Sequence, residues 1–273
     1  MTERSEWEGR VGRKWADEWR RTDRSFAALT DRLLARVMES RPRAVLDVGC
    51  GAGELSLAVA RSHPEASVVG IDVSDPLIEV ARERGRHLAN VSFNVADASH
   101  WQPSGQAPDL ITSRHGVMFF ANPTSAFEHL HAIASPGARL LFSSFRSRDE
   151  NAWATEIMRL IPGSFPPSAD TGPGPFAFAD PDHVQTILSD SGWKRIELEQ
   201  VDFAYMAGAG CDAVVDAMSY FLAIGPAARA VAEMEPDKRA VFVVRLEAYL
   251  RSIEREGIVA MAGAAWIVSA SRN

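Results

Sequence analysis

Residues 44–60 read AVLDVGCGAGELSLAVA, an apolar run of strand length that ends in Asp47 and then places Gly49, Gly51 and Gly53 before an alanine- and leucine-rich segment resumes. A strand, a glycine turn and a helix in that order make one βα unit. The turn calls for glycine because a Cβ there would forbid left-handed dihedrals or collide with whatever the backbone N–H groups and the helix N-terminus approach. A nucleotide suits such a turn. The dinucleotide fingerprint G-x-G-x-x-G, however, needs a glycine at position 54, where this chain has Glu54. The acid two residues before the first glycine would also repel a pyrophosphate, whereas it would suit a ligand carrying ammonium and sulfonium charge.

The rest of the first half repeats the pattern. Apolar runs at 44–48, 67–71, 91–95, 109–112 and 139–143 read as strands, and 54–62, 76–84 and 124–134 as the helices between them. Ahead of these, 25–39 carries Phe26, Leu29, Leu33, Leu34, Val37 and Met38 on one helical face. Strands too apolar to have a wet face, alternating with helices, indicate a parallel sheet covered on both sides, so the fold class is α/β, doubly wound. After residue 145 the rhythm changes: a helix at 152–160, a Pro/Gly-rich stretch at 162–180 long enough to act as a lid, a helix at 182–191, a strand at 195–205, helical material at 212–256 and a last strand at 264–271. The expected organisation is a helical cap at 1–40, a ligand-binding core at 41–146, and a C-terminal half at 147–273 that completes the sheet, with the lid loop at 162–180 and a helical insertion at 211–256.

Composition narrows the function classes. A formal charge of −7 argues against a general nucleic-acid surface, which wants a clustered basic face. Arginine and lysine outnumber the acids in residues 1–43, but the signs alternate as on a solvated helix face. No apolar stretch approaches the roughly 20 residues of a bilayer span, and the first residues are charged and tryptophan-rich, so neither membrane insertion nor a secretory signal is expected and a cytoplasmic location follows. The two cysteines, Cys50 and Cys211, offer no disulfide framework, and apart from His129-x-His131 the seven histidines lack ligand spacing, so no metal is expected.

Two further acids stand at strand ends. Asp72 closes the second strand in VVGIDVS, roughly twenty residues beyond the glycine turn, where a carboxylate can accept from both ribose hydroxyls. Asp97 follows the third strand in NVADA, within reach of an exocyclic amine. With VLDVGCGAG, GIDVS, NVADA and DLITSRHGVMFFANPTSAFEHLHAIASPGARLLFSSF in that order over residues 44–145, the chain resembles the class I SAM-dependent methyltransferases, in their ubiquinone/menaquinone-type bacterial small-molecule branch. The resemblance implies a seven-stranded, mostly parallel, Rossmann-like sheet with a helical N-terminal cap and a helical insertion before the last strand. It also implies S-adenosyl-L-methionine (SAM) as cofactor and S-adenosyl-L-homocysteine as product.

Carried over by position, Asp47 and the turn of Gly49, Cys50, Gly51 and Gly53 would border the methionine moiety, with Cys50 packing inside it. Asp72 and Val73 would hold the ribose, Asp97 and Ala98 would read adenine with Trp101 over its face, and Ser113 would complete the cofactor set. Trp15, together with Trp7, Trp19 and Phe26, would close over the cofactor.

In open α/β sheets the reactive crevice lies at the carboxyl ends of the strands, and the fourth strand ends at Ser113-Arg114-His115. His115 stands where the family more often carries an aromatic residue, which makes it the candidate base or substrate-orienting group. Arg114 is read either as a carboxylate anchor or as half of an ion pair. Phe119 and Phe120 supply an apolar wall, and Tyr220, with Met218 and Phe221 on the insertion, shapes the acceptor pocket. His63, His87, His100, His129, His131 and His183 are expected at the surface.

The expected activity is metal-independent methyl transfer to oxygen, nitrogen or carbon of a small, partly apolar substrate by a monomer or homodimer. An RNA methyltransferase is disfavoured by charge and by the lack of an Asn/Asp-Pro-Pro-aromatic signature after the fourth strand. A SAM-binding regulatory or scaffold protein without catalysis is the other alternative.

Overall fold

The computed structural model describes residues 4–163 and 172–273. The middle of the expected lid, 164–171, lies outside the described residues. Seven strands form one sheet: β1 (Ala44–Val48), β2 (Ser67–Asp72), β3 (Val91–Val95), β4 (Leu110–Arg114), β5 (Arg139–Phe145), β6 (Lys194–Ala209) and β7 (Ile258–Ser271), in the spatial order β3-β2-β1-β4-β5-β7-β6. Only β7 runs against the rest, pairing antiparallel with both β5 and β6. All five residues of β1 are buried, as the near-continuous apolar run requires of a strand covered on both faces, and Asp47 is the one charged residue among them.

The crossovers are α4 (Glu54–Ser62), α5 (Asp75–Gly85) and α6 (Pro123–Ile133). The last begins on an Asn122 side chain that accepts from the Ser125 N–H, with Pro123 at the first helical position. In the C-terminal half α7 (Ala152–Arg159) and α8 (Pro181–Asp190) lead into β6.

Three parts differ in extent from the sequence-based expectation. The first long helix begins at Trp19, not at 25: α1 (Arg4–Glu8) and α2 (Arg10–Asp17) lead into α3 (Trp19–Met38), and the polar start of α3 is helical because Thr22 and Ser25 are buried against neighbouring elements. The helical stretch at 212–256 is three helices, α9 (Ala213–Ala223), α10 (Gly225–Ala232) and α11 (Pro236–Ile253), divided where Pro226 and Pro236 can only start a helix.

The last two strands are the third difference, for they run past both expected boundaries. Ala265 lies opposite Phe145, the last residue of β5, so the ladder from Ile258 to Ala264 rises with β6 beyond the carboxyl edge of the sheet. Glycines inside this ribbon mark close packing. A Cβ on Gly263 would meet the Phe203 ring at 2.7 Å, and one on Gly208 would meet the Ala213 carbonyl at 2.1 Å. Among the described residues no single helix is long and apolar enough to cross a membrane.

Candidate functional site

A cavity of about 770 Å³ opens over the carboxyl ends of the parallel strands. Its floor is the glycine turn. Gly49 and Gly51 have φ of 64° and 54°, in the left-handed region. The turn also needs glycine across the gap: a Cβ on Gly49 would stand 2.7 Å from the Cα of Gly116, and one on Gly116 would stand 2.6 Å from the Val48 carbonyl. Gly116 went unnoticed in the sequence because its partner lies in another loop.

Asp47 is 1% exposed. Its Oδ2 accepts from the Ser56 hydroxyl, while Oδ1, equally buried, meets no donor among the described residues. Burial raises its pKa to about 7, against the lowering effects of the Ser56 hydroxyl and the Arg114 charge. Asp72 is oriented by two backbone donors at 2.9 Å, Gly51 N–H to Oδ2 and Ser74 N–H to Oδ1, and burial raises its pKa against those same bonds. Val73, Asp97, Ala98 and Cys50 line the same cavity. A buried carboxylate oxygen without a donor fits a cationic ligand group, and an aimed carboxylate at the next strand end fits a diol, so these residues fit SAM.

Three of the expected cofactor residues stand elsewhere. Ser113 is fully buried and structural, its Oγ donating to the Val48 carbonyl and accepting from the Gly116 N–H, because its strand position faces the β1 loop rather than the cavity. Gly53 lies behind the turn as the left-handed N-cap of α4, where a Cβ would meet the Phe93 ring at 2.9 Å. Trp101 does not line the cavity either. Its carbonyl bonds His129 Nε2 at 2.7 Å, and exposed His100 lies at the cavity instead. His63, His129 and His131 are half-buried rather than at the surface, the last edge-on to Trp193 at 5.2 Å.

The cap forms one wall. Trp7, Trp15 and Trp19 line the cavity with Phe119 and Phe120, and Trp7 sits edge-on to Phe119 at 5.2 Å. On α2, a Cβ at Gly12 would stand 2.2 Å from the Ser74 hydroxyl, so this helix presses on the loop that carries Asp72. Arg114 pairs with Glu54 in the first turn of α4 and with Asp23 of α3 at 3.7 Å, and Asp23 pairs in turn with Arg84 of α5 at 2.7 Å. The guanidinium therefore serves a buried ion cluster and is not free to hold a carboxylate. Glu54, which breaks the dinucleotide fingerprint, is the residue that engages it.

His115 takes φ of 61°, left-handed for a non-glycine residue, in the turn that ends β4. Its ring stacks on Phe145 at 4.0 Å with 12° between planes and lines the cavity, yet neither ring nitrogen has a hydrogen-bond partner. Burial, then the Arg114 charge, lowers its pKa well below 6.5, which keeps the imidazole neutral at pH 7. Tyr220 does not reach the cavity. It is buried behind Tyr205, bonded to the Ser25 hydroxyl at 2.9 Å and accepting from Tyr205 Oη at 3.3 Å, and Tyr205 is the tyrosine that lines the site. The sequence concealed this because Tyr205 sits on the part of β6 that overshoots the sheet.

The family described as methyltransferase domain matches residues 18–198, more than half of the chain. The chain belongs to that family. It is 34% identical over 141 residues to trans-aconitate 2-methyltransferase of Methylobacterium radiotolerans, covering 51% of this chain and 52% of that protein. It is 29% identical over 187 residues to the enzyme of the same name from Variovorax paradoxus, covering 68% and 65%. The chain thus spans about half to two-thirds of the length of these curated relatives. The phosphoethanolamine N-methyltransferase 2 of Haemonchus contortus, solved with S-adenosyl-L-methionine, superposes with a TM-score of 0.52 at 16% identity over 89% of this chain and 52% of that one, a likeness of fold.

Proposed function

We propose that the chain is a SAM-dependent methyltransferase acting on a small, partly apolar molecule, with His115 as the proton acceptor. The observation that carries this is the pair of carboxylates at adjacent strand ends, Asp47 with a bare buried oxygen and Asp72 aimed by two N–H groups, over a glycine turn in a family of methyltransferases. When bound, SAM supplies an electrophilic methyl group on a sulfonium. The chain's own residues do the rest. Asp47 would face the cationic end of the ligand, Asp72 and Val73 would border its ribose, Asp97 and Ala98 its base, and the cap tryptophans would exclude water. His115, neutral and unpartnered, would take the proton of the acceptor group through a ring nitrogen and return it to solvent afterwards.

The two free cysteines, Cys50 buried and Cys211 exposed, fit a reducing compartment, and we place the protein in the cytoplasm as a monomer or homodimer. The relatives named for trans-aconitate act on a polycarboxylate. That substrate does not suit this cavity, because its one lining guanidinium, among the described residues, is engaged by Glu54 and Asp23.

Titration calorimetry tests the cofactor half. Each hydrogen bond to a charged group is worth about 1.5–3 kcal/mol, so Asp72→Ala should weaken SAM binding at least tenfold with the fold intact, and NAD should give no measurable heat. Equal affinity in the variant would remove Asp72 from the site.

A further inference from the structure

Beyond His115 the cavity changes character. Phe145 stacks on the imidazole, Phe26 sits edge-on to Tyr205 at 5.4 Å, and Trp153 stacks on Tyr205 at 5.4 Å with 20° between planes. Met158 and Phe221 continue the same wall. The overshooting β6 ribbon brings Tyr205 into this cluster, and the Tyr205 hydroxyl is already bonded to Tyr220. In this part of the cavity, among the described residues, the buried side-chain polar atoms without a partner are the two ring nitrogens of His115 and, one helical turn before Phe26, Thr22 Oγ1.

Charge points the same way. The described lining holds four carboxylates, Asp23, Asp47, Asp72 and Asp97, against the single guanidinium of Arg114, which is paired. An anionic acceptor would lose its hydration here without gaining a free cation from the protein. Flat ring walls, by contrast, stack on a flat guest.

From this we infer that the acceptor is an uncharged, planar aromatic molecule bearing a hydroxyl group, its ring held in the Phe26–Phe145–Trp153–Tyr205 cluster and its hydroxyl against His115. This rests on the methyltransferase reading and names the substrate class for the same site.

The test is calorimetry on the full chain loaded with sinefungin, a SAM analogue that keeps a positive charge near the sulfonium position. Sinefungin binding is measured first, and its failure would sink the methyltransferase reading itself. On the loaded protein the probes are 2-naphthol, the matched anion 2-naphthoate, and trans-aconitate. The expected result is that 2-naphthol binds at least tenfold more tightly than 2-naphthoate and that trans-aconitate gives no heat. Naphthoate binding as well as naphthol, binding of trans-aconitate, or binding of neither naphthalene probe would each overturn the acceptor class while leaving the cofactor reading standing. Two variants sharpen this. Met158→Lys, at a half-buried wall position, should swing the ratio at least tenfold toward naphthoate, and His115→Phe should weaken 2-naphthol about tenfold. An unchanged ratio in the first, or unchanged affinity in the second, would overturn the placement of the ring or of the hydroxyl.

Discussion

Two side chains illustrate how burial, more than residue type, sets chemistry here. Asp47 has a folded pKa of about 7 against an ordinary carboxylate value of 3.8, so the stability linked to its protonation is fully present below pH 3.8 and is lost as the pH rises through about 7. A cationic ligand favours the ionised form. SAM binding should therefore release a proton in the range between those values, seen as a dependence of the binding heat on buffer ionisation enthalpy, and Asp47→Asn should abolish it. His115 is shifted the other way, well below 6.5, so its base form persists at neutral and mildly acidic pH. General-base catalysis contributes about 10²–10⁴-fold, and His115→Phe should lower turnover by that order with SAM affinity nearly unchanged. The acid limb of the turnover profile, lying below pH 6.5, should vanish with it. Near-full turnover in the variant would make His115 a packing residue.

Among the elements, the loops after β1 and β4 depend on each other. The glycine turn was legible as a turn between strand and helix from 44–60 alone, but its second requirement, the close approach of Gly116, belongs to a segment more than sixty residues away. Gly116 already has helical dihedrals, φ −80° and ψ −44°, so Gly116→Ala carries no backbone penalty and tests the contact by itself. Its Cβ would press on the Val48 carbonyl and on Gly49, forcing the turn off its seat. We expect at least a tenfold rise in the SAM dissociation constant by calorimetry with cooperative unfolding retained, and a variant that binds normally would show that the two loops give way without consequence.

Across the whole molecule, the cap and the core are joined by charge as well as by packing. Arg114 at the end of β4, Glu54 on α4, Asp23 on α3 and Arg84 on α5 form one partly buried cluster, with Arg84 also lying over the Trp19 ring at 3.8 Å and donating to the Ala52 carbonyl at 2.7 Å. Removing Arg114 takes the cation away from Glu54, while Asp23 keeps Arg84 at 2.7 Å. Arg114→Met should cost about 3–5 kcal/mol in denaturant unfolding, because the Glu54 carboxylate loses its cation. A variant as stable as the parent would show that water reaches the cluster.

What the sequence determined by itself was whatever depends on local order: the alternation of apolar runs with helical periodicity, which makes a parallel sheet, and the acid–glycine turn with acids at the next two strand ends, which follow the sheet's carboxyl edge in register. What only the tertiary structure decided was which residues face that edge together. Ser113 and Tyr220 have the right types at neighbouring positions, yet the pleat of β4 turns one toward the β1 loop and the length of β6 places Tyr205 in front of the other. Arg114 is likewise assigned by Asp23 and Glu54, more than fifty residues away, because a buried guanidinium goes to the carboxylates that the fold brings to it.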